Sequence, residues 1–196
     1  MNAITPSAAP ADPHRGLEQA FAAYARRWPG EAELAADFID LLGDRLDPYG
    51  RERLQGHFTA SAWLVSADGR RTLLMHHAKL LRWLQPGGHA DGDRDLPRVA
   101  LKEAQEETGL AALAVDDTAI FDLDRHWIPE RKDVPGHWHH DVRYVVRATG
   151  SEDFLANEES LALAWRPVAE VARDPDPSLS RMARKWLVRL GLTAEE

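Results

Sequence analysis

GGHADGDRDLPRVALKEAQEETGL, Gly87 to Leu110, is the stretch whose reading decides the fold and the chemistry. Pro97 to Thr108 reads as a helix. Asp95 stands where an N-cap accepts main-chain N–H groups, Pro97 falls in the first turn, and Gly109 supplies the stop. Residues three and four apart share a helix face, so Glu103, Glu106 and Glu107 project together. The like-charged pair Glu103 and Glu107 weakens an isolated helix by a few tenths of a kcal/mol, so helix formation gives no reason to place them there. A dication reverses the sign of that effect. Hard Mg²⁺ takes oxygen ligands, typically one or two carboxylates with waters and substrate phosphates, and grouped carboxylates favour Mg²⁺ or Mn²⁺ over zinc. EAQEE alone would read as a solvated helix face. The preceding Gly87-Gly88, which lets main chain approach a ligand closely, together with the cap and the Thr-Gly-Leu stop, turns the reading towards a site.

Upstream, Leu17, Phe21 and Tyr24, then Leu34, Phe38, Leu41 and Leu42, recur at helical spacing, with Pro29-Gly30 between two helices and Asp47 to Gly50 as a turn. From His57 the pattern becomes extended: HFTASAWLVSA and RRTLLMHHA flank Asp68-Gly69, a hairpin signal. LRWLQ, Thr118 to Trp127, HHDVRYVVRA and LALAWRPV are further strands. A closing helix from about Ser178 to Leu190 turns Leu179, Met182, Trp186, Leu187 and Leu190 inward. Strands with a few inserted helices predict an α+β fold, a layered α/β/α sandwich.

The 196 residues suffice for one main core, and 44% hydrophobic with 29% charged residues is globular composition. A net charge of -8 disfavours long nucleic acid, so an anionic substrate needs a metal ion or a local basic patch. The absence of cysteine excludes disulfides, thiolate metal sites and a cysteine nucleophile. No apolar run approaches the ~20 residues of a membrane span, and the opening MNAITPSAAPADP lacks a signal-peptide pattern, so the expected compartment is the cytoplasm.

Gly88, Lys102, Glu103, Ala104, Glu106, Glu107, Gly109 and Leu110 match the spacing of the signature of the Nudix hydrolases, G-x5-E-x7-R-E-U-x-E-E-x-G-U with U apolar. The chain therefore resembles that family, over roughly residues 55 to 192. Two positions depart: Arg94 stands for the first Glu, and Lys102 for Arg, which keeps the charge but loses the planar fork. The resemblance implies a mixed sheet between helices, with the Nudix domain over 51–196; the Ala- and Pro-rich start reads as a flexible tail over 1–14, and the periodic residues 15–50 as a helical extension outside the family's common core. The extension would serve packing, homodimerisation or substrate selection.

The activity implied is Mg²⁺- or Mn²⁺-dependent cleavage of a phosphoanhydride in a small-molecule nucleoside diphosphate linked to another moiety. Glu103, Glu106 and Glu107 would be the catalytic metal ligands, with the Gly88 carbonyl as a further ligand by analogy. Asp91, Asp93 or Asp95 would replace the missing motif glutamate, or the site holds fewer ions. One box glutamate could act as base, and in several branches the base is a loop glutamate, a role open to Glu158 or Glu159. In HWHHD, His137, His139 and Asp141 share one strand side and Trp138 and His140 the other. Substrate contact is expected of His137 and His139, with metal ligation or a polar sheet face as alternatives. Arg125, Arg131 and Lys132 are candidates to neutralise phosphate. His76 and His77 read as structural, and Trp63, Trp83, Trp127 and Trp165 as core or base-stacking residues. The competing function is a non-hydrolytic Nudix-fold module that senses a nucleotide or a protein. A third relative, an isoprenoid diphosphate isomerase, relies on a cysteine that is absent here.

Overall fold

The computed structural model of the chain describes residues 14–131, 134–157 and 160–192. Apart from His14, the tail expected over 1–14 lies outside them, as do Lys132, Glu158 and Glu159. Two helices, α1 (Arg15–Arg27) and α2 (Ala32–Leu42), are separated by a 3₁₀ turn at Pro29–Glu31. The strands are β1 (Gly56–Val65), β2 (Arg71–His77), β3 (Trp83–Leu84), β4 (Gly87–His89), β5 (Leu113–Ile128), β6 (His137–Ala148) and β7 (Ser160–Pro167). Helix α3 (Leu96–Thr108) lies between β4 and β5, and α4 (Val168–Val171) and α5 (Pro177–Leu190) close the described chain.

The strands form one sheet in the order β3-β2-β1-β6-β5, with β4 also paired to β1 and β7 to β2. Only β1 and β6 run parallel, Gly56 opposite Trp138 through Val65 opposite Arg147, so the sheet is mixed. Every residue of β1 is buried, because helices cover the sheet on both faces. Phe58, Ala60, Ala62 and Leu64 point into one core with Phe21, Phe38, Val99 and Ala104. Trp63 and Val65 point into the other with Leu179, Met182 and Trp186 of α5. The α/β/α sandwich expected from the sequence is the observed architecture, and α1 and α2 share the first core with the sheet.

Several boundaries differ from the sequence reading. The hairpin across Asp68-Gly69 forms, with Gly69 at φ 73°, but β1 and β2 share only Val65 opposite Thr72. β2 then swings to β7, and the vacated edge of β1 is taken by β4. LRWLQ yields only Trp83–Leu84, since Leu81 at φ 53° sits in the turn before it. β5 begins at Leu113, before Thr118; register shifts near Asp117 interrupt the alternation that marks a strand. Leu190, expected to face inward, is 36% exposed in the last turn of α5.

A buried ionic network ties the layers together. Lys185 Nζ on α5 donates to Asp122 Oδ1 at 2.6 Å, the Tyr24 hydroxyl at 2.7 Å and Glu31 at 2.7 Å, with its side chain 5% exposed. Arg143 donates to Asp141 at 2.8 Å and Asp122 at 3.0 Å, and Arg181 to Asp122 at 2.8 Å. Burial alone would raise the Asp122 carboxyl, yet Arg181, Arg143 and Lys185 together hold it below the usual carboxylate range.

Candidate active site

Helix α3 starts as its sequence requires: Asp95 Oδ1 accepts from Arg98 N–H at 3.2 Å, and Gly109 takes the left-handed C-cap at φ 69°. Leu96, Val99, Ala100 and Ala104 bury one side of it, and the glutamates ride beside that stripe. They do not project alike. Glu107 is 5% exposed and turns inward, where it accepts the Gly87 N–H at 2.9 Å. Glu103 is half-buried against Gly88, and a Cβ there would come within 2.5 Å of Glu103 Oε2 and 3.0 Å of Oε1. Only glycine leaves that cradle open. Glu106 lies nearer solvent and accepts from Lys102 Nζ at 3.1 Å, while Glu103 Oε1 lies 3.4 Å from the same ammonium.

Burial raises the Glu103 carboxyl above its ordinary range, against the pull of Lys102. Negative charge is thus held where water stabilises it poorly, beside a strand whose glycine admits close neighbours. Hard oxygen donors of this kind fit Mg²⁺ or Mn²⁺ and offer nothing to a soft metal.

The acids that could replace the missing motif glutamate have other partners. Asp91 accepts two hydrogen bonds from Arg51 at 2.6 Å, Asp93 pairs with Arg98 at 2.7 Å, and Asp95 caps the helix. Arg94 lays its guanidinium over the Tyr49 ring at 5.6 Å. Beside this loop opens a pocket of ≈ 600 Å³ whose lining includes Asp47, Gly50, Arg51, Asp91 and Gly92.

Of the residues expected to contact substrate, Arg125 donates to Asp37 of α2 at 2.6 Å and stands over the Trp138 ring at 4.7 Å. His137 and His139 lie on the same side of β6, as the alternation required, and His140 on the other, edge-on to Phe38 at 5.1 Å. Asp141 shares their side but accepts from Thr59, Ser61 and Arg143. Arg131 sits in an isolated bridge with Val134. His76 lies against Trp83, and His77 Nδ1 accepts the Lys79 N–H at 3.1 Å. Trp63 is core, Trp165 bonds the Glu152 carbonyl at 3.0 Å, and Trp127 packs edge-on to Trp138 near the surface.

Sequence reasoning passed over His57 and His89, which stand with His137 and His139 in one cluster. His57 is the register partner of His139, and His89 pairs with Thr59, two residues along β1. Each lies far from the HWHHD run in sequence, so strand pairing is the signal that joins them.

A family model described as the NUDIX domain matches residues 55–187. A C. elegans Ap4A hydrolase binary complex superposes at TM-score 0.53 with 16% identity, covering 68% of this chain and 97% of that one. A NUDIX-family hydrolase from Clostridium perfringens gives 0.53 with 22% identity over 68% and 97%. The Nudix hydrolase RenU from M. smegmatis gives 0.50 with 23% identity over 69% and 86%. At these identities the likeness is one of fold. No curated protein matches the chain.

Proposed function

The chain belongs to the Nudix family, and from that premise we propose that it hydrolyses a phosphoanhydride bond in a nucleoside diphosphate linked to another moiety, with Mg²⁺ or Mn²⁺ as cofactor. The observation that carries this reading is the fit of α3 to β4: Gly88 leaves room for the Glu103 carboxylate while the Gly87 N–H fixes Glu107. Glu103, Glu106 and the Gly88 carbonyl are the proposed ligands, with Glu107 as a further ligand or as the group that orients the strand. When bound, the dication would activate the attacking water and screen the diphosphate oxygens.

The chain's own residues prepare that chemistry. Lys102 keeps Glu103 and Glu106 from repelling each other until a cation replaces part of its role. With Asp91, Asp93 and Asp95 engaged elsewhere and Arg94 on Tyr49, the site has fewer acidic ligands than the family signature provides, which supports a smaller metal complement. The pocket beside the Arg51–Asp91 pair is the proposed seat of the substrate. Among the described residues no helix is long and apolar enough to cross a membrane.

The test is a panel of nucleotide sugars, ADP-ribose, dinucleotides and nucleoside triphosphates with Mg²⁺ or Mn²⁺, scored by phosphate released after added phosphatase. Glu106→Gln and Glu107→Gln run beside the wild type. Turnover abolished by either change supports the reading; turnover that survives both removes the metal assignment. Arg94 is the specific observation favouring a second reading, a nucleotide-sensing module, which would show binding in the panel without turnover.

A further inference from the structure

Four imidazoles converge on the sheet face opposite the first core. His57 of β1, His89 of β4 and His137 and His139 of β6 each offer one ring nitrogen, and these four atoms all lie within 4.8 Å of one another. His57 and His137 are 2% and 6% exposed. The four rings pack at centroid separations of 4.8–5.2 Å, which crowds polar ring nitrogens into a buried space where each needs a partner.

The hydrogen bonds around the rings show which nitrogens face inward. His57 Nδ1 lies 3.2 Å from the Arg53 carbonyl, and His137 Nδ1 lies 2.8 Å from the Pro135 carbonyl. A carbonyl only accepts, so both Nδ1 atoms carry a proton, and it is Nε2 of each ring that is left to present a lone pair to a metal. His57 Nε2 is buried with no hydrogen-bond partner. His137 Nε2 and His139 Nε2 stand 3.2 Å apart. Two nitrogens bound tetrahedrally at the usual zinc distance are separated by about 3.3 Å. An imidazole ligand whose other ring nitrogen donates to a main-chain carbonyl is the arrangement that fixes tautomer and orientation around a metal.

We propose that His57, His89, His137 and His139 form a four-coordinate site for a borderline divalent transition metal of the Zn²⁺ class, separate from the carboxylates of α3. Nitrogen-only donors disfavour Mg²⁺ and Mn²⁺, which take oxygen, and the absence of thiolates and carboxylates from the set distinguishes it from the box site. The ion would staple β4 and β6 to β1 through their paired registers. His89 follows Gly88, so the staple fixes the strand that Glu103 and Glu107 lean on.

The test uses the untagged full chain, stripped with chelator and titrated with Co²⁺ and then Zn²⁺. The expected result is one equivalent of cobalt with the intense visible absorption of four-coordinate geometry, displaced by zinc. His89→Gln, half-buried on a short strand, and His139→Gln are each expected to weaken zinc binding at least about tenfold. His76→Gln and Glu106→Gln should leave it unchanged. Thermal melts in the presence and absence of zinc, with far-ultraviolet circular dichroism, separate lost ligation from lost folding: the wild type should melt higher with zinc, and folded His89→Gln should not. Weak six-coordinate cobalt absorption, zinc affinity unmoved by both histidine changes, or affinity lost in Glu106→Gln would each overturn the proposal. Hydrolysis need not be measured, so a failure here is distinct from a failure of the proposed activity.

Discussion

Replacing Gly88 with alanine probes the box site through a single methyl group. Gly88 has no positive φ, so its backbone accepts alanine. The new Cβ would stand 2.5 Å from Glu103 Oε2 and 2.6 Å from its Cδ, where ordinary contact begins near 3.4 Å. The carboxylate must therefore retreat by roughly 1 Å, and as the end of a flexible side chain it can do so with little change in stability. A displacement of that size at a reacting centre lowers turnover by about 10²-fold, or about 2.7 kcal/mol of barrier. The expected outcome is kcat/KM with the best substrate of the panel down by that factor, weaker Mn²⁺ binding by electron paramagnetic resonance, and a Tm within about 3 °C of wild type. Gly87→Ala is the contrast: its Cβ would lie 2.8 Å from Ser61 Cα, which is backbone of β1, so it should lower Tm instead. If Gly88→Ala keeps both turnover and Mn²⁺ affinity within about twofold of wild type, Glu103 does not act from that cradle.

Glu107→Gln keeps an acceptor for the Gly87 N–H and removes only charge, so it should fold with near-native Tm while turnover falls; a large loss of Tm would mean its role is structural. Lys185→Met leaves half-buried Glu31 unpaired and buried Asp122 with two of its three cations, and urea unfolding should show a loss of about 2 kcal/mol, whereas a neutral result would refute the network's role. Acidification offers another check on metal-free protein. The folded values of His57, His89 and His139 lie below the ordinary 6.5, so the unfolded chain takes up protons first. Stability should be full above that value and fall as pH drops from about 7 towards 5, and His89→Gln should flatten the slope in calorimetry; a Tm indifferent to pH over that span would contradict the burial of these rings.

The sandwich was legible because its signals are local. Asp95, Pro97 and Gly109 bracket α3 by backbone chemistry, and the extended runs on either side of Asp68-Gly69 mark β1 and β2. Spacing alone placed three glutamates on one face, but not the difference between Glu107, drawn in by a main-chain N–H, and Glu106, left near solvent; that split depends on β4 docking. The lengths of β3 and β5 were misread because a left-handed Leu81 and slips near Asp117 disturb the alternation. His57 and His89 were invisible as partners of HWHHD because only the parallel β1–β6 register and the β4–β1 pairing bring them together.

The ammonium of Lys185 has a consequence for the part of the chain that lies before the matched domain. Its partners Tyr24 and Glu31 come from the N-terminal region, while Asp122 belongs to the sheet. A shortened chain beginning at β1 would strip away two of that ion's three named partners and bare Phe58 to water in the same cut. The two leading helices therefore behave as a missing wall of the domain rather than as an attachment to it, and trimming towards the family's minimal length should yield aggregates instead of a smaller enzyme.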